Sequence, residues 1–170
     1  MALRLDGTQE SQVEAAIADG IGAWGRIDIL VNNAGVTPGL GLPFTRQVEA
    51  DWDTVFGVNL KSVFFACKHI APHFMERRSG TIVNISSIAG PLSSLTMPSY
   101  SVVKMGVITL TKIVAKELAP HNVKRTRSAP ASCIPTCGRG SARRCDRRTR
   151  RTPASPRGRC SRTGWRSGSR

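Results

Sequence analysis

The chain has 170 residues with 25 Lys/Arg against 11 Asp/Glu, a formal net charge of +14, and a length that suits one domain with a substantial core. Such a charge would ordinarily point to nucleic acid or an acidic membrane surface, but residues 1–123 hold ten basic and ten acidic residues, so the whole excess lies in 124–170, where fifteen basic residues accompany the single acid Asp146. No run of eighteen apolar residues occurs, so no segment is expected to cross a membrane; with no export signal read in the chain, the expected location is cytoplasmic.

In chain order, residues 3–5 read as the end of a strand, followed by Asp6 and a helix over about 10–21 with Val13, Ala16 and Ile17 at helical spacing. Gly20, Gly22 and Gly25 match a phosphate-turn pattern, but they follow a helix and precede a strand. That is the reverse of the order that aims a helix N-terminus at phosphate, so they are read as ending one helix and turning into the next strand. A strand at 27–31 is almost wholly apolar, as expected of a parallel strand covered on both faces. Helices follow at 48–56 and 60–75, with an irregularity at 57–59. Val63, Phe64, Cys67, Ile70 and Phe74 form an apolar stripe expected to pack in the core. A strand at 81–85 ends at Ser86 and Ser87. A helix spans 98–119, with Pro98 near its start, Val103, Val107, Leu110 and Val114 along one face, and Pro120 closing it. Strands alternating with helices predict an α/β fold with a doubly wound parallel sheet. Ligands are then expected at the carboxyl ends of its strands.

The composition changes abruptly after Val123. Residues 124–170 contain no Leu, Val, Met, Phe or Tyr, and only Ile134 and Trp165 as large apolar residues, too little to offset the entropy of ordering. The reading is therefore a domain at 1–123 and a disordered Arg-rich tail at 124–170. Four of the five cysteines, at 133, 137, 145 and 160, lie in that tail at spacings that match no zinc pattern. No metal site and no disulfide framework is expected.

The chemistry concentrates at Tyr100 and Lys104, four residues apart and so on one helix face. A phenol is a poor base at neutral pH, and a fixed positive charge beside it favours the phenolate. Ser87, thirteen residues upstream, can hydrogen-bond a substrate oxygen. Two residues that merely share a helix face are the plain alternative, and the spacing alone is weak evidence.

Four elements in order strengthen it: Asn32-Asn33-Ala34-Gly35 after an apolar strand, Asn59 in a helical stretch, Ser87 after a second apolar strand, and Tyr100 with Lys104. Over about residues 3–123 the sequence resembles the short-chain dehydrogenase/reductase family. The resemblance implies a proton exchange by Tyr100, a substrate oxygen oriented by Ser87, a ribose and phenolate contact by Lys104, and a relay water held by Asn59. It places Asn32, Asn33, Ala34 and Gly35 on the nicotinamide side, although turn chemistry after a strand also explains them. It aligns Asp6 with an adenine contact, with Gly7 where a Val is more usual; a solvated or helix-capping acid is the alternative. The implied cofactor is NAD or NADP, and the residue that selects between them cannot be read.

The same resemblance implies a Rossmann sheet that is incomplete here, without its first two strands and their glycine-rich turn. In the order 3-2-1-4-5-6, the 3–5 strand would lie apart and the 27–31 strand would be an unpaired apolar edge, an aggregation hazard. Beyond Val123 the family continues with an apolar strand and a Pro-Gly turn; a reading-frame shift near codon 124 would account for the basic sequence found instead. The implied function is hydride transfer between a nicotinamide cofactor and a small alcohol or ketone, in a family that forms dimers and tetramers through its long helices. A chain of this sequence is expected to be insoluble or poorly folded, to bind NAD(H) or NADP(H) weakly, and to be inactive if the missing parts are essential. Two alternatives from other classes are a non-catalytic remnant and a nucleic-acid binder acting through the Arg-rich tail. That tail lacks aromatic interleaving and any recognisable binding module.

Overall fold

The computed structural model describes residues 1–123 and, for the backbone, 125–131. Expectations about the four tail cysteines, the tail's charge and the sequence beyond residue 131 lie outside the described residues.

Helix α1 spans Glu10–Trp24 and ends at Gly25, whose φ of 72° is the left-handed conformation that closes helices. Gly20 and Gly22 are inside this helix, so the glycine pattern there is a helix and its cap, as expected. Strand β1 is Ile29–Asn32. Helix α2, Glu49–Phe56, continues into a π-helical turn at Gly57–Lys61 and then into α3, Ser62–Arg77. That wider turn is the irregularity expected at 57–59, and such turns are frequent at functional sites. Strand β2 is Thr81–Ser87, the short helix α4 is Ala89–Leu92, and α5 runs from Pro98 to Leu118 with its proline in the first turn. Strand β3 is Arg125–Ala131.

The sheet has the order β1-β2-β3 and is parallel throughout, with Ile29 opposite Thr81, Asn32 opposite Asn84 and Thr81 opposite Arg125. β3 corrects the boundary drawn at Val123. The stretch just beyond it is a strand, because the backbone ladder to β2 asks nothing of the side chains. Residues 3–5 are a second correction: they form no strand, since no neighbour among the described residues supplies ladder bonds to them.

Helices α1, α3 and α5 cover one face of the sheet. Leu30 packs against both core clusters, as do Ile82, Cys67, Ile70, Phe74, Val107 and Leu118 in the larger one. Alternation then sends Ile29 and Val31 to the opposite face, where they are 61% and 56% exposed. The expectation that this strand is covered on both faces is therefore wrong for the described residues. The helix stripe needs one change as well: Phe64 is exposed, while Phe65 is buried with Val13 and Ala66. A helix turns about 100° per residue, so position 64 falls off the face shared by 63, 67, 70 and 74.

The free side of β1 opens on an apolar cavity of about 440 Å³ that includes Leu3, Leu5, Ile17, Trp24 and Ile29. An apolar strand without a partner on one side is a template for association. Val31→Lys, placed on the uncovered face, is expected to raise the soluble monomer fraction without lowering the unfolding midpoint. Light scattering at matched concentrations reads the first quantity and circular dichroism the second; unchanged scattering would count against association through this edge.

Candidate active site

Three elements meet at the carboxyl end of the sheet: the turn after β1, the end of β2, and the first turns of α5. Their approach depends on Gly90 in α4. A Cβ there would lie 3.0 Å from the Met105 amide nitrogen and 3.1 Å from the Lys104 carbonyl carbon, so any side chain would push α4 off α5 and move the end of β2 with it.

Lys104 is 3% exposed. Its Nζ donates to the Ile85 carbonyl oxygen at 2.7 Å and lies 5.4 Å from the centroid of the Tyr100 ring. The helix face predicted to bring these two together does so, within the reach of a cation–π contact. The Ser86 Oγ donates to the Lys104 carbonyl at 2.8 Å and ties β2 to α5. Ser87 differs from its neighbour. Its Oγ accepts from the Ala89 N–H at 3.2 Å, and no acceptor for its own hydroxyl proton is found among the described residues. Ser87 is therefore the serine with a proton to offer a bound oxygen. Tyr100 is half-buried, and its hydroxyl likewise has no hydrogen-bond partner among the described residues.

Asn59 sits in the π-helical turn and is 1% exposed. Its Oδ1 accepts from the Val36 N–H at 2.7 Å, and its Nδ2 donates to the Val36 carbonyl at 2.8 Å. The extra backbone residue of a π turn re-aims a side chain, and here the amide clamps the chain just beyond Gly35. A Cβ at Gly35 would come within 3.3 Å of Asn59 Oδ1 and 3.8 Å of Lys104 Nζ. Asn33, Ala34 and Gly35 are exposed beside these groups, while Asn32 is half-buried and donates through Nδ2 to Asn84 Oδ1 at 2.8 Å.

Asp6 stands apart from this cluster. Its carboxylate accepts from the Thr8 N–H at 2.9 Å and the Thr8 hydroxyl at 2.8 Å, and these bonds, the backbone one foremost, hold its carboxyl below the usual range. Gly7, Asn33 and Ala34 nevertheless line one cavity, so the Asp6 loop borders the same end of the sheet.

Asn84 was not singled out in the sequence, although it is the polar interruption of an otherwise apolar strand interior. It is fully buried, donates to Thr111 Oγ1 at 2.9 Å, and has Cys67 Sγ 3.9 Å from its Oδ1. Burial pushes the Cys67 thiol up to about 11, so it is neutral at ordinary pH.

Burial also pushes the Lys104 ammonium down from the ordinary lysine value of 10.5. The folded state then holds this proton less tightly than the unfolded chain, so the charge costs stability at neutral pH. That cost disappears as the pH rises through 10.5. Lys104→Met removes it and forfeits one hydrogen bond, worth about 1 kcal/mol. The variant's melting temperature relative to the parent's is expected to be higher near pH 7 than near pH 11, because only the parent sheds a charge cost as the pH rises. Melts at the two pH values test the sign.

A model of the short chain dehydrogenase family matches residues 1–143. Among curated proteins, the chain is 40% identical over 126 residues to the 3-oxoacyl-(acyl-carrier-protein) reductase FabG of Thermotoga maritima, covering 74% of this chain and 50% of the relative. It is 35% identical over 127 residues to the Chlamydia pneumoniae protein of the same name, covering 75% and 50%. Among solved structures, ElxO with NADP bound superposes with a TM-score of 0.69 at 35% identity, over 72% of this chain and 49% of that one. NAD+-bound xylitol dehydrogenase gives 0.68 at 30% identity, over 71% and 46%. The chain thus spans about half the length of the relatives it matches. A family match over most of the sequence, joined to a parallel α/β sheet with this cluster at its carboxyl end, places the chain in the short-chain dehydrogenase family.

Proposed function

We propose that these residues carry out the proton-transfer half of an NAD(P)-dependent interconversion of an alcohol and a ketone. The observation that carries the reading is the buried Lys104, its Nζ 5.4 Å from the Tyr100 ring, in a site where the Ser87 and Tyr100 hydroxyls have no acceptor among the described residues. In the direction of reduction, Ser87 donates a hydrogen bond to the ketone oxygen and polarises it. Tyr100 gives its proton to that oxygen as the alcohol forms, and the nearby ammonium stabilises the phenolate left behind. In oxidation the phenolate takes the proton back. Asn59 fixes the backbone at Val36 and with it the wall facing Lys104. The reading is supported by Ser87 at the end of β2 and Tyr100 in the first turn of α5, on adjoining elements.

The residues fit the nicotinamide end of a dinucleotide. Gly35 leaves open a space that a Cβ would close against Asn59 and Lys104, and Asn32, Asn33 and Ala34 extend the same wall. The bound cofactor supplies or accepts the hydride. Asp6 is assigned to the adenine end. The names of the curated relatives make a 3-oxoacyl thioester the first ketone to try, and the titles of the solved neighbours support testing both cofactors.

Self-association is assigned to the outer face of α3 and α5, where Phe64 and Ile113 are 45% and 55% exposed and border a groove of about 790 Å³. The test of function is oxidation of NADPH or NADH by the chain at millimolar cofactor in the presence of a 3-oxoacyl thioester or a simple ketone. Consumption that requires the ketone supports the reading. No ketone-dependent consumption with either cofactor overturns it.

A further inference from the structure

Beyond these residues, we infer that Asn84 is a positioning residue that holds the Asn33–Gly35 turn against Lys104 through the side chain of Asn32. This rests on the alcohol–ketone reading for its consequence in turnover, but the hydrogen-bond chain behind it stands on its own geometry.

The chain has a fixed direction. Thr111 Oγ1 donates its only proton to the Val107 carbonyl at 2.6 Å. It can therefore only accept from Asn84, whose Nδ2 lies 2.9 Å away. That sets the Asn84 amide: its Oδ1 faces β1 and accepts from Asn32 Nδ2 at 2.8 Å. Asn32 and Asn84 are also backbone neighbours in the β1–β2 register. Each amide is thus oriented by the next, from the interior of α5 to the last residue of β1.

The turn that follows Asn32 is held at both ends by side-chain amides, Asn84 acting through Asn32 at one end and Asn59 through Val36 at the other. Between these anchors the exposed Asn33, Ala34 and Gly35 form the wall near Lys104 Nζ. A wholly buried amide in the middle of an apolar strand is costly unless its bonds are made, and here both ends of it are used. Of the titratable side chains among the described residues, Cys67 contacts this amide, and its thiol stays neutral through the range assayed below.

Asn84→Asp separates positioning from bulk. The carboxylate can still accept from Asn32, but its second oxygen loses the donor–acceptor match with Thr111 Oγ1, which can answer it only by turning its proton away from the Val107 carbonyl. Only protonation of the substituted carboxyl restores the donor. Hydrogen–deuterium exchange of the Val36 amide, which Asn59 protects, reads the order of the turn without any need for turnover. With the carboxyl ionised, which burial at this site shifts to a pH above the ordinary aspartate range, this amide is expected to exchange about tenfold faster than in the parent after correction for intrinsic rates, and a series from pH 5 to pH 9 follows the change. Most of the protection should return at pH 5. Ketone reduction should fall by about tenfold or more where the carboxyl is ionised and recover toward pH 5 relative to the parent, at temperatures where circular dichroism finds both chains folded.

Exchange and turnover that match the parent's throughout pH 5 to pH 9 overturn the inference, and so does a loss that simply follows the folded fraction. Should the variant fail to fold, Thr111→Val and Asn32→Ala take its place. Each should speed Val36 exchange, and the two together should do little more than one alone; additive effects overturn the inference. If the parent chain shows no turnover while Val36 exchange behaves as described, the functional reading fails and the positioning stands.

Discussion

Tyr100→Phe is expected to lower ketone reduction by about 10²- to 10⁴-fold, the range typical of losing a general acid, while leaving the fold intact. The change removes one oxygen, and the Tyr100 hydroxyl makes no hydrogen bond to the described residues, so no buried group is left unpaired. The ring keeps its place beside Lys104, because phenylalanine retains the face that meets the ammonium. Thermal unfolding should therefore shift by less than about 0.5 kcal/mol equivalent, as for a surface substitution. Ser87→Ala makes a useful companion: the Ala89 N–H loses an acceptor, so a small stability loss should accompany the fall in rate. A Tyr100→Phe chain that turns over within about threefold of the parent would remove the phenol from the chemistry.

Gly80→Ala is expected to damage the fold more than most exposed substitutions could. Gly80 ends the connection from α3 into β2, and a Cβ there would lie 2.3 Å from Phe74 Cγ and 2.5 Å from both Cδ atoms. Phe74 is fully buried with Ile70, Ile82 and Leu118, so its ring has nowhere to go. Either β2 shifts or the core opens. Overpacking of this kind typically costs about 1–3 kcal/mol and can cost more. Phe74→Ala alone should cost about 3–5 kcal/mol through lost burial and the cavity it leaves. The two changes touch the same space, so the double variant should lose less than the sum of the singles by about 1 kcal/mol or more. Urea unfolding of the four chains measures this directly. Strict additivity would mean that the added methyl does not meet the ring.

Much of this site is legible in the sequence because its parts are local. Tyr100 and Lys104 share a helix face and Ser87 ends an apolar strand, both of which follow from spacing along the chain, while Asn59, in the irregular stretch between two helices, enters through the family resemblance. What sequence alone missed depends on partners distant in sequence. Residues 3–5 look like a strand in composition, yet a strand exists only with a neighbour. Residues 125–131 look unfit for a sheet, yet β2 offers a free ladder. Ile29 and Val31 read as buried because they are apolar, but burial needs something on the other face of the sheet. Asn84 carries a visible signal, a lone amide inside an apolar strand. Its partners Asn32 and Thr111 are 52 and 27 residues away, and no local pattern connects them.

The account turns on whether hydride from a nicotinamide cofactor reaches a carbonyl carbon at this site while Tyr100 protonates the carbonyl oxygen. The most direct measurement incubates the chain with a ketone and a reduced nicotinamide cofactor carrying deuterium at its transferable position, then weighs the alcohol formed. One deuterium on the carbinol carbon in the parent, and none above background in Tyr100→Phe, is the predicted result. An unlabelled alcohol, no alcohol at all, or equal labelling by both chains would contradict it.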